Sequence, residues 1–170
     1  MRAAPPARNA RRPEDGRLAP GRPHSTASIA HRPIHPMLVP FPIVCFVGTL
    51  VTDLAYWQTA DMLWADMSIW LLTAGLVMAG FAVLAGLIDF FGDRRIRALP
   101  QSWIHAAGNA VALVLAIINA FVHSRDAYTS VVPSGLVLSL LTVLILLVTG
   151  WLGFSLVHRH GVGVSLERGR

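Results

Sequence analysis

The chain has 170 residues, a net charge of +5, a single cysteine and a mean hydropathy of +0.57, with 54% of it hydrophobic and 14% charged. That balance is too apolar for a water-soluble domain and directs the reading to a bilayer. One cysteine excludes an internal disulfide, a zinc finger and a thiolate-bound iron–sulfur cluster.

Residues 1–33 are rich in Arg and Pro and lack an apolar run, so they read as a disordered cytoplasmic tail. A membrane domain is expected over residues 34–164, with four spans at about 37–57, 68–92, 103–123 and 133–158. Each is about 20 residues or longer, enough to cross a hydrocarbon core of about 30 Å. Residues 165–170 form a second short tail. The expected fold is an all-α, up-down-up-down bundle of four transmembrane helices.

The first span opens on His35-Pro36-Met37-Leu38-Val39-Pro40-Phe41-Pro42. Three prolines so close together predict an interrupted start before a regular helix. Asp53 follows His35 by five turns and falls on the same face, and Tyr56, Trp57, Trp64 and Trp70 suit an interfacial belt. In the second span Gly75, Ala79, Ala82 and Gly86 share a stripe that ends at Asp89. Small residues of this kind let a backbone approach another helix or a flat ligand closely.

The third span starts after Pro100, with Ser102 as its expected N-cap. It places His105, Asn109, Asn119 and His123 within about 40° of one line, counting 3.6 residues per turn. Ala112 and Ala116 fill the same stripe. Polar groups are costly in a membrane and normally face the bundle interior, a cavity or a bound group. In the fourth span Gly135, Thr142, Thr149 and Gly153 share a face with His160, from which His158 points away.

All fourteen basic residues are arginine, and thirteen of them lie before span one, between spans two and three, or after span four. Only Arg125 occupies the other two connections. By the positive-inside rule both termini are cytoplasmic, and the same distribution accounts for the net charge without a nucleic-acid partner. The expected location is a bacterial inner membrane.

Topology therefore sorts the ionisable groups by depth. His35, Asp89, His105 and His160 belong to a cytoplasmic-side layer, and Asp53 and His123 to the outer end. Three chemistries suit this pattern. Facing histidines could hold haem b, with His35 and His105 as first-choice ligands, His160 as a third candidate and Asp89 orienting an imidazole or meeting a propionate. The polar layer could instead only fix helix packing, in a cofactor-free structural or partner-binding subunit; Asn109, Asn119, His123 and Asp53 suit that role best. Proton or metal-ion movement is the third, although the bundle centre offers only Asn and Thr between the two layers. Motifs for nucleophilic catalysis, for a zinc protease and for phosphate binding are missing, so no independent catalytic activity is expected.

Four motifs taken in order carry a family resemblance. They are His35-Pro36-Met37-Leu38-Val39-Pro40-Phe41-Pro42-Ile43, Ala85-Gly86-Leu87-Ile88-Asp89-Phe90, His105-Ala106-Ala107-Gly108-Asn109, and Gly150-Trp151-Leu152-Gly153 leading to Arg159-His160-Gly161-Val162-Gly163-Val164. Together they resemble the bacterial membrane family called domain of unknown function 2231, over roughly residues 34–164. The resemblance implies a four-helix integral membrane domain without an established activity. It also implies a distant similarity to two-haem b-type cytochromes, and relatives fused to Rieske-type iron–sulfur domains. This chain has no Rieske motif, so a redox partner would be a separate protein or membrane subunit. It also departs from the pattern at Pro40, where many relatives have His, and at His158, where Tyr is usual.

Overall fold

The structure, a computed structural model, describes residues 25–29, 32–125 and 131–162. Residues 1–24 of the expected 1–33 tail, and the expected tail at 165–170, lie outside them. Four helical spans cover Ile34–Thr59, Met62–Gly92, Pro100–His123 and Val131–His158, each long and apolar enough to cross a membrane. Span 1 packs on span 2 and span 3 on span 4; the two hairpins close through contacts of span 1 with span 4 and of span 2 with span 3. The near end is where spans 1 and 3 begin, and the far end is where they finish.

The last part of the expected tail is ordered. β1 (Ser28–Ile29) pairs antiparallel with β2 (Arg32–Pro33), and the Ile34 amide donates to Ala27 O at 2.9 Å. Span 1 consists of a short helix, α1 (Ile34–Leu38), and a long one, α2 (Pro40–Thr59). The joint at Val39 follows from the sequence. Pro40 and Pro42 have no amide N–H, so the carbonyls of Pro36 and Leu38 lose their helical donors.

Span 2 is α3 (Met62–Gly92), and it begins six residues earlier than hydropathy indicates. Ala60 turns the chain with φ 53°, and Asp61 caps the helix by accepting from the Leu63 amide at 3.0 Å. Asp66 and Ser68 therefore lie inside the helix, and Ser68 is fully buried. At the near end Asp93 caps α4 (Arg94–Arg97). The Arg97 guanidinium donates to Phe90 O and Phe91 O at 3.1 and 2.6 Å, tying off the open carbonyls of α3.

Span 3 is α5 (Pro100–His123); it starts on proline and has no side-chain cap. The N-cap expectation for Ser102 is thereby corrected, since Ser102 sits inside the helix with its hydroxyl buried and unpartnered. In span 4 Val132 is extended, and the regular helix is α6 (Leu136–His158). Gly161, at φ 65°, closes that helix by donating to Val157 O.

The packing is inverted relative to a water-soluble bundle. Trp70, Phe81, Phe121, Leu147 and Trp151 are exposed, whereas Thr49, Thr52, Asp53, Ser68, Asn119, Ser139 and Thr142 are buried. Small and polar residues let the helices approach, and the large apolar ones face lipid. The apolar core proper is a cluster of Phe46, Leu72, Ala79 and Ala116.

Candidate functional site

At the far end four side chains form one continuous hydrogen-bonded network across spans 1, 3 and 4. His123 Nε2 lies 2.9 Å from Asp53 Oδ1, and Ser139 Oγ donates to Asp53 Oδ2 at 2.6 Å. Asn119 Nδ2 donates to Ser139 Oγ at 2.8 Å, and His123 Nδ1 lies 3.0 Å from Asn119 O, one turn back on its own helix. All four residues are buried, Asp53 at 0% exposure. The juxtaposition of Asp53 and His123 was legible from their depth. Ser139 was missed, although it lies one turn after Gly135 on the polar face of span 4. A separate buried contact, Thr52 Oγ1 to Ser68 Oγ at 2.6 Å, joins spans 1 and 2.

At the near end the imidazoles of His35 and His105 meet edge to face, with centroids 6.2 Å apart and planes at 89°. Each ring is held by the helix beside it. His35 Nδ1 is 2.7 Å from Ala82 O on span 2, and His105 Nδ1 is 2.9 Å from Thr149 O on span 4. A carbonyl only accepts, so each Nδ1 carries the proton and each Nε2 of a neutral ring presents a lone pair. Two glycines make room for the rings. A Cβ on Gly86 would stand 2.9 Å from His35 Nδ1, and one on Gly153 would stand 3.0 Å from His105 Cε1. Asn109 donates to His105 O at 2.7 Å, and its amide lies 3.4 Å from both ring nitrogens.

The near-end layer is smaller than the sequence suggests. Asp89 meets neither histidine: its Oδ1 accepts from Ser25 Oγ at 2.9 Å and from the Ala27 amide at 2.7 Å. The reason is that Ser25 and Ala27 lie over the end of span 2 and offer it closer donors. His160 is half-buried in the turn after α6, while His158 is exposed and stacks on Phe154 with centroids 3.8 Å apart. Among the described residues no three His, Cys, Asp or Glu side chains stand close enough to hold a metal ion together. The small-residue stripes are also occupied. A Cβ on Gly75 would meet Phe46 and Cys45 of span 1, and Ala116 belongs to the apolar core, so these faces pack helices and leave no slot for a flat ligand there.

A lipid-facing apolar exterior around a small polar interior, with a histidine site at each end, defines a four-span integral membrane bundle. The family described as "Predicted membrane protein (DUF2231)" matches residues 31–166, and the chain belongs to it. No curated protein and no solved structure matches the chain.

Proposed function

We propose that this protein is a haem b-binding, redox-associated subunit of a bacterial inner membrane, with both termini cytoplasmic. The observation that carries this reading is the His35–His105 pair. Two imidazoles from spans 1 and 3 come within 6.2 Å of each other, centre to centre, at the same end of the bundle. The donor set also suits an iron porphyrin, because two neutral imidazoles are each oriented by a backbone carbonyl.

His35 and His105 would hold the iron, which supplies one-electron transfer when bound. The remaining work falls to the chain itself. Ala82 O and Thr149 O fix ring tautomer and direction, Gly86 and Gly153 give the rings space, and the apolar spans keep bulk water out. Electrons would be exchanged with a separate redox protein or membrane subunit, since the chain holds one cysteine and no iron–sulfur motif. The arginine asymmetry supports the orientation.

A cofactor-free packing or partner-binding role is favoured by a different observation, the filling of the small-residue stripes by Phe46 and Cys45. Absorption spectroscopy separates the two readings. Protein purified in detergent from haem-supplied cells is expected to show a Soret band that H35A and H105A each abolish while helix content holds. A colourless wild-type protein ends the haem reading and leaves the packing one.

A further inference from the structure

We propose that Asp53 and His123 together hold one shared proton, at a buried site built across spans 1, 3 and 4. This inference is independent of haem. The network's donors and acceptors require it when each hydrogen is assigned in turn.

His123 Nδ1 faces Asn119 O, which can only accept, so Nδ1 bears a hydrogen. At the other end of the chain of bonds Asn119 Nδ2 donates to Ser139 Oγ, and the Ser139 hydrogen therefore goes to Asp53 Oδ2. One contact remains, Nε2 to Oδ1 at 2.9 Å. With a neutral imidazole and an ionised carboxylate, two lone pairs would face each other across it. A proton must sit between them, giving either imidazolium with carboxylate or imidazole with carboxylic acid.

Both forms leave the pair neutral overall. Losing the proton would strand a net negative charge among buried groups, which is expensive in a low-dielectric interior. The pair's other hydrogen bonds go to an uncharged hydroxyl and a peptide carbonyl, and neither can neutralise that charge. The relay extends no further through Asn119, whose Oδ1 is buried without a partner. Asn119 lines a narrow gap with Thr49 and Thr142 that has no room for a water molecule. The hydroxyls of those threonines are already spent on carbonyls of their own helices, Cys45 O and Leu138 O. The proton is thus confined to the Asp53–His123 contact, at the opposite end of span 3 from His105 and about 27 Å along it, at 1.5 Å per residue.

The test is nitrogen NMR on the full chain carrying 15N-histidine in lipid bilayers, with the His123 signals assigned by their loss in H123Q. The expected result is one of two signatures. Either both ring nitrogens are protonated, or only Nδ1 is, accompanied by an infrared carboxylic-acid band that D53N removes. In D53N the carboxamide can donate to Nε2 and accept from Ser139, so the fold is retained and the ring becomes neutral with its hydrogen on Nδ1. A wild-type ring protonated only at Nε2 beside an ionised Asp53 overturns the proposal. So does a ring whose protonation D53N leaves unchanged from an imidazolium.

Discussion

Asp53 shows how much a single buried carboxylate depends on its partners. Its two oxygens are divided between an imidazole and a hydroxyl from two other helices, and the residue is fully buried. Removing the carboxyl strands both partners, so D53A should lose about 3 kcal/mol of stability, read from reversible unfolding in mixed micelles. D53N keeps the shape and both hydrogen bonds, and its loss should stay below about 1 kcal/mol. This pairing is legible in the amino-acid sequence, because Asp53 and His123 each fall near the end of an apolar run at the same depth. The Asp89 partnership is not. Its donors come from Ser25 and Ala27, in a stretch without periodic signal. A helix-end carboxylate beside three arginines also has several candidate partners in sequence, and only folding selects one.

Among the elements, the helices were legible in number and order because length and apolarity in lipid leave few alternatives. Their boundaries were less so. Span 2 starts at Met62 because Asp61 caps it, and the polar Asp66 and Ser68 hide that start from a hydropathy reading. The stripe of small residues was legible as a close-approach surface, but what approaches it was not. The helix of span 1 takes up Gly75, and the side chain of His35 takes up Gly86. From this follows a prediction for the glycines that seat the rings. G86A and G153A should each displace an imidazole while leaving helix content by circular dichroism unchanged, at a cost of about 1–3 kcal/mol in packing. If haem binds, each should also weaken or remove the Soret band. The strand pair of Ser28–Ile29 with Arg32–Pro33 is tied to span 2 through Asp89, whose loss removes its bonds to Ser25 and Ala27. D89A should raise hydrogen exchange at the Ala27 amide by at least tenfold, corresponding to about 1.5 kcal/mol or more, with the core of α5 unaffected.

For the whole molecule, the arginine distribution and the inverted exterior act together. The inverted exterior places the bundle in lipid, and the arginines carry the proposed orientation with both termini inside. Orientation is checked with single cysteines on a C45S background, since Cys45 is the chain's only thiol. Both Gln58 and Ala98 are exposed, at the far and near ends respectively. Q58C should react with a membrane-impermeant maleimide in intact cells and A98C only after lysis; the reverse pattern would invert the topology.

The joint at Val39 has a mechanical consequence. Two rungs of the helix ladder are missing there, so the piece that carries His35 is joined to the rest of span 1 by a thinned ladder, Val39 N to His35 O at 3.1 Å and Ile43 N to Val39 O at 3.4 Å, while further attachments run sideways to Ala82 and back to Ala27. Strain applied at one end of the bundle should therefore fade before it reaches the other. In energetic terms H35A and D53N should behave as strangers, their effects on stability summing to within about 0.5 kcal/mol in a double-mutant cycle. A larger coupling would mean that span 1 transmits force as one rigid rod in spite of its prolines.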